Sequence, residues 1–187
     1  MKILFAVLFA GIITIGSAQN QFERKGFIFG TAFGGTLVNL KYSNQADYSE
    51  MSVSFPNFKL GGMLNKRMAV LLYLPGSLYT YRDTEREHQR GFEAIMPSIQ
   101  YWVKYRWWVS AGVGLAMDAP AFYDIKTKSD RKFYFGASTA LATGYELWRK
   151  GQFIIDIQGR VHYGSANING SARNGLAYTI VLGLNWY

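Results

Sequence analysis

KFYFGASTALATGYELW, residues 132–148, sorts its side chains by size as well as by polarity. Counting every second residue, Phe133, Phe135, Ala137, Leu141, Tyr145 and Leu147 fall on one side. Gly136, Ser138, Ala140, Ala142, Gly144 and Glu146 fall on the other. A period of two marks a strand with two unlike faces. The fold turns on which face is inside. A soluble β protein points its large apolar residues inward. Here the opposite face is small and carries an acid, which suits a narrow, polar interior.

The same rule recurs on both sides of this stretch. In QFIIDIQGRVHYG (152–164), Phe153, Ile155, Ile157, Val161 and Tyr163 oppose Gln152, Asp156, Gln158, Arg160 and His162. In RWWVSAGVGLAMD (106–118), Trp107, Val109, Val113, Leu115 and Met117 oppose Arg106, Ser110, Gly112, Gly114 and Asp118. FPNFKLGGMLN (55–65) sets Phe58, Leu60 and Leu64 against Asn57, Lys59 and Asn65, and 91–103 groups Ile95, Ile99, Tyr101 and Val103. Segments 26–42, 68–82 (apolar on both faces) and 175–187 complete eight strands. The connections alternate. NKR (65–67), VKYR (103–106) and RKG (149–151) are tight, whereas 43–52, 83–90, 118–130 and 164–174 are longer and polar. An even number of strands with alternating short and long connections predicts an all-β, eight-stranded antiparallel up-and-down transmembrane β-barrel.

An eight-stranded barrel has little interior volume. Gly112, Gly114, Ser110, Gly136, Ser138 and Ala140 fit such a lumen, and Trp107, Phe133 and Phe153 do not. The large face therefore points into lipid, where only a closed barrel satisfies strand backbones. The predicted lumen cluster is Lys59, Arg106, Asp118, Glu146, Asp156, Arg160 and His162. Its opposite charges pair and offset their desolvation, giving a plugged core. Tyr42, Tyr81, Tyr101, Trp102, Trp107, Trp148 and Trp186 are expected to form aromatic girdles at the strand ends. Pro56, Pro75 and Pro97 fall inside predicted strands, so bulges or rim positions are expected there. The competing fold is a soluble lipocalin-like barrel with Phe133, Phe153 and Leu182 in a central core.

The N-terminus reads differently. MKILFAVLFAGIITIGSA (1–18) has Lys2, an apolar run and small residues at 16 and 18, the pattern of a cleaved secretory signal. The expected organisation is a signal peptide at 1–18, a short periplasmic segment at 19–25 and the barrel at 26–187. The 187-residue chain carries a net charge of +8 and no cysteine. The bases are not interleaved with aromatics as a nucleic-acid platform requires, so an anionic membrane surface is the expected counterpart. His88 and His162 are far apart, and Asp118, Asp124 and Asp130 match no calcium spacing, so no metal or cofactor is expected.

The chain closes with GLAYTIVLGLNWY (175–187). Leu182, Leu184, Trp186 and the terminal Tyr187 resemble the C-terminal signal of small outer-membrane β-barrel (porin-like) proteins, which the barrel-assembly machinery reads. Strict alternation puts Tyr187 on the face opposite Leu182, Leu184 and Trp186. The resemblance implies a Gram-negative outer-membrane location, periplasmic termini and four external loops. It also implies a structural or surface-interaction role toward outer-membrane lipid, lipopolysaccharide or an external ligand. DTEREHQR (83–90) reads as a solvated loop, and its arginines, with Lys126, Lys128, Arg131 and Lys132, suit lipopolysaccharide phosphates.

Two resemblances concern RVHYGSANIN. Arg160 to Asn167 is similar to the active-site stretch of outer-membrane lipid A 3-O-deacylases, which implies His162 as base and Ser165 as nucleophile. The His-x-x-Ser spacing puts the two on opposite faces, and no acid follows Asp156, so Asp156 or Glu146 would have to orient the base. Tyr163, Gly164, Asn167 and Ile168 resemble a stretch of small porin-like barrels with no assigned catalysis. The leading reading is therefore non-enzymatic. A lipid A-modifying hydrolase and a narrow conduit for small or apolar solutes are the alternatives.

Overall fold

Nine strands take up most of the chain, and their alternation follows from the two-residue period of the sequence. The computed structural model describes residues 23–43, 46–82, 87–126, 131–168 and 170–187, so the predicted signal at 1–18 lies outside the described residues. The strands are β1 (Phe27–Tyr42), β2 (Tyr48–Ser54), β3 (Asn57–Asn65), β4 (Met68–Arg82), β5 (Glu87–Trp102), β6 (Trp107–Pro120), β7 (Tyr134–Lys150), β8 (Phe153–Ile168) and β9 (Ser171–Trp186). Each pairs antiparallel with its neighbours, and β9 returns to β1 from Phe29↔Trp186 to Tyr42↔Arg173. The β1–β9 ladder closes the ring, and the one seam without a ladder among the described residues lies between β2 and β4.

The ring has eight positions although there are nine strands. β2 and β3 are two pieces of one arm, both paired to β1, interrupted at Phe55 and Pro56. The sequence reading left residues 43–52 as a loop, but Tyr48–Ser54 is a strand. Between β2 and β4 the ladder is replaced by side chains. The Glu50 carboxylate accepts Thr80 N–H at 2.8 Å, and Ser54 Oγ donates to Gly76 O at 2.8 Å.

The two ends of the barrel differ. At the end holding Gly26 and Trp186, the connections are Lys66–Arg67, Val103–Arg106 and Gly151–Gln152. At the other end three of the four expected long loops shrink, because the strands run on through the polar residues. They shrink to 43–47, 83–86 and 169–170, and only 121–133 remains long, with a 3-10 turn at Phe122–Asp124. β7 has 17 residues and β9 has 16. That is well beyond the roughly 9–11 a strand needs to cross a bilayer. The outward residues of these extensions are polar: Lys41, Ser49, Glu87, Gln89, Asn167 and Asn174 are all exposed. Their inward residues pack as an apolar cluster that includes Leu40, Tyr79, Tyr81 and Ile168.

The prolines do not sit at bulges. Pro75 and Pro97 lie inside β4 and β5 with the register unshifted. Instead the ladder lapses beside each: two β4–β5 pairs are missing at Leu74 and Pro75, and two β5–β6 pairs at Met96 and Pro97. The bulges occur elsewhere, at Met63/Asn65 and Glu146/Trp148.

Orientation follows side-chain size. Phe133, Phe153 and Leu182 are exposed on the outer wall, as are Leu141 (66%) and Ile180 (68%). This excludes the lipocalin-like alternative. The girdle is smaller than expected. Tyr101, Trp107, Trp148 and Trp186 face out near the turn end, but Tyr81 and Trp102 are buried and Tyr42 packs on the inner cluster. In β4 odd residues face in, and in β1 and β5 even ones do, a phase that a run apolar on both faces conceals. No helix among the described residues is long and apolar enough to cross a membrane, which says nothing of a barrel.

A lysine at Ile180, halfway along the outer wall, is expected to destabilise the barrel by about 2–4 kcal/mol in lipid vesicles, against about 0–1 for Asn174→Lys near the loop end. Guanidinium unfolding of both variants in vesicles measures the difference. Equal effects at these two exposed positions would mean that the wall faces water.

Candidate functional site

The interior is a column of charges built from residues that the alternation turns inward. Lys59, Asp118, Glu146, Asp156, Arg160 and His162 are all buried there. Arg106 is not: it lies in the β5–β6 turn, half-buried, because β6 begins one residue later at Trp107. The column also contains Arg24, Arg90 and Arg173, which the sequence reading assigned to a tail and to loops.

Near the turn end the centre is Glu146. Arg24 Nη2 donates to its two oxygens at 2.9 and 2.8 Å, and Trp102 Nε1 donates to Oε1 at 2.7 Å. Arg149 pairs with the same carboxylate. Arg24 precedes β1 and is tucked across the barrel mouth, where its guanidinium also lies 4.8 Å from the Trp102 ring centroid. Tyr187 closes this level. It points inward, as strict alternation requires, and meets Trp102 edge to face at 5.4 Å.

Near the loop end the centre is Asp118. Arg90 Nε and Arg173 Nη1 both pair with its carboxylate, and Tyr79 donates its hydroxyl to the same group. Arg90 Nη2 reaches on to Lys132 O at 2.7 Å, tying the 121–133 connection to the lumen. Below it the Phe92 ring lies 4.9 Å from the Arg173 guanidinium and 4.6 Å from the His162 ring. Two facing glycines make room for Phe92. A Cβ on Gly175 would come within 2.6 Å of its ring, and one on Gly164 within 2.9 Å. Phe92 therefore packs into the interior against both glycines.

Between these levels lie Asp156, Lys59 and Arg160. Arg160 Nη1 donates to Asn57 Oδ1 at 2.8 Å and to Tyr73 OH, and Nη2 donates to Ser54 Oγ at 2.9 Å. Lys59 Nζ reaches Gln100 Oε1 at 3.4 Å and lies 4.9 Å over the Trp108 ring. Asp156 accepts from Trp108 Nε1 at 3.0 Å and Gln158 Nε2 at 2.7 Å.

His162 and Ser165 do not converge. His162 faces the lumen, with Nε2 2.8 Å from Ser138 Oγ, while Ser165 stands on the outward face of β8. Ser138 donates its single proton to Tyr163 O at 2.8 Å, so His162 Nε2 is the donor in their shared bond. A nucleophile–base pair needs the two side chains within hydrogen-bond reach, and opposite faces of one strand forbid it. Among the described residues no cluster of His, Cys, Asp or Glu has metal-binding geometry. Lys128 and residues 83–86 lie outside the described residues, whereas Lys126, Arg131 and Lys132 are exposed on the long connection that also carries Phe122 and Tyr123.

No protein-family model matches the sequence, and no curated protein sequence does. The fold is another matter: it is that of the small outer-membrane β-barrel proteins. Neisserial surface protein A superposes with a TM-score of 0.59 at 14% identity, covering 87% of this chain and 99% of that one. Ail, the attachment invasion locus protein of Yersinia pestis, solved with the heparin analogue sucrose octasulfate, gives 0.53 at 9% identity over 88% of this chain and all of that one. The outer membrane protein AlkL, solved in lipid bilayers, gives 0.52 at 11% identity over 91% and 94%.

Asp118→Asn strands Arg90 and Arg173 without their anion and is expected to cost on the order of 3–5 kcal/mol. Ser165→Ala, on the outer face of the same barrel, is expected to change stability by no more than about 0.5 kcal/mol. Unfolding titrations in detergent micelles test both.

Proposed function

We propose that the protein is a small integral outer-membrane β-barrel whose work is done at its loop end, as a structural or surface-interaction protein and not as an enzyme or a conduit. The observation that carries this reading is the packed lumen. Ion-pair centres at Glu146 and Asp118 stand at its two ends, and Phe92 packs into the interior against Gly164 and Gly175. A solute path along the axis would have to break all three. Catalysis by His162 and Ser165 is disfavoured by their opposite faces. In this reading the termini and short turns are periplasmic. The 1–18 segment is the export signal, and the strand carrying Leu182, Leu184, Trp186 and Tyr187 is what the assembly machinery reads.

The loop end offers a defined chemistry. Phe122 and Tyr123 are 82% and 71% exposed, on the same connection as the exposed Lys126, Arg131 and Lys132. Apolar rings beside cations suit an amphiphile with anionic headgroups, and lipopolysaccharide phosphates are the partner nearest to hand. Tyr123 and Asp124 are tied to β5. Asp124 Oδ2 accepts Gln89 N–H at 2.8 Å, and Tyr123 donates its hydroxyl to Gln89 Oε1. Ail, which shares the fold, was solved in complex with the heparin analogue sucrose octasulfate, and that precedent supports a polyanion as the partner.

Lipopolysaccharide added to the detergent-folded barrel is expected to raise its unfolding temperature, and replacing Lys126, Arg131 and Lys132 together by Gln is expected to remove most of that rise. Heat-dependent gel migration follows both. An unchanged response in the triple variant would sink the loop as the contact. The wild-type barrel in planar bilayers is expected to pass no steady current, and a steady current would favour the conduit.

A further inference from the structure

The buried charges of the lumen follow one ratio at every level: two cations to one carboxylate. Arg24 and Arg149 share Glu146, and Arg90 and Arg173 share Asp118. The middle level has Lys59 and Arg160 with Asp156, but neither cation forms an ion pair among the described residues. Asp156 is engaged instead by Trp108 and Gln158. All three residues are at least nine-tenths buried, with Lys59 at 5%, Arg160 at 4% and Asp156 at 0% exposure. A buried cation bonded only to neutral groups is costly, because those dipoles replace only part of its hydration.

The unused hydrogen-bonding capacity gathers in the same place. Arg160 Nε and both amide atoms of Asn185 have no partner among the described residues, and Asn185 is 1% exposed. Asn185 and Lys59 meet beneath Gly30. A Cβ there would come within 2.5 Å of Asn185 Oδ1 and 2.6 Å of Lys59 Cε, so only glycine leaves both in position. Next to them is a cavity of about 10 Å³, bordered by Gly30, Lys59, Asn57, Tyr73 and Gln158. Asn57 and Tyr73 are the groups that hold Arg160. A space of that order takes a single water-sized body.

We propose that this middle level is a binding site for one small monovalent anion of the halide class, held by the Lys59 ammonium beneath Arg160. What sets this level apart from the other two is that its cations are bonded to neutral groups and to no carboxylate among the described residues. The size of the cavity selects a halide over sulfate or phosphate, with the flexible Lys59 stem yielding the small extra room that chloride needs over water.

The test is to refold the barrel into detergent in sodium gluconate and titrate in bromide, chloride or sulfate at constant ionic strength. Unfolding temperature is then read by heat-dependent gel migration. Bromide and chloride are expected to give a saturable rise, with sulfate matching gluconate. Lys59→Met, which leaves one cation to one carboxylate, is expected to lose the halide response. Identical melting of the wild type in all four anions, or an undiminished bromide response in Lys59→Met, overturns the proposal. Should Lys59→Met fail to fold, crystals of the wild type grown in bromide decide. An anomalous peak within reach of Lys59 Nζ supports the site, and an ordered water without one refutes it.

Discussion

Everything in this structure depends on closing the ring between β9 and β1. A sheet facing lipid has no water to satisfy its edge N–H and C=O groups, so each strand must find two neighbours. Fourteen-odd residues of β1 meet β9 in unbroken register, from Phe29↔Trp186 to Tyr42↔Arg173. With eight positions the closed ring is narrow, and the narrowness dictates the rest. Large side chains go outside because they do not fit inside. Glycine, serine and alanine line the lumen, and the remaining space is filled by long polar chains that reach across it.

Those polar chains are stabilising only as complete sets. Glu146 and Asp118 each collect two guanidinium groups and an aromatic donor, Trp102 in one case and Tyr79 in the other. Such centres tie Arg24, ahead of β1, to β7, and bring Arg90 of β5 and Arg173 of β9 together on Asp118 of β6. Removing one member leaves charge buried without a partner, and the cost is felt by the whole ring. Where the ladder fails, at Pro56 between β2 and β3, side chains also take over, with Glu50 and Asn57 filling backbone sites.

Much of this was legible from the alternation alone. Lys59, Asp118, Glu146, Asp156, Arg160 and His162 are all buried, on the faces that a period of two assigns to the small and polar side. The reading faltered where polarity was taken for a loop. Arg173 sits in SARNG and Arg90 in REHQR, stretches too polar to read as strand, yet both are in the ladder. Asn169–Gly170 was the available signal: a two-residue hairpin dipeptide, with Gly170 at φ +82°, needs no long connection. Nothing comparable marks Arg24, which precedes the first strand and is placed by Glu146 from the far side of the barrel.

The sequence by itself determined the strand period, the sorting of large from small residues and hence the outward apolar wall, since these are local properties of alternation. It determined too that Tyr187 turns inward, by simple parity with Trp186. Only the tertiary structure decided which charges meet, that Phe92 packs against Gly164 and Gly175, and that Lys59 and Arg160 form no ion pair among the described residues. Those outcomes depend on the stagger of the strands around the ring. That stagger is set by closure, a constraint that no single strand contains.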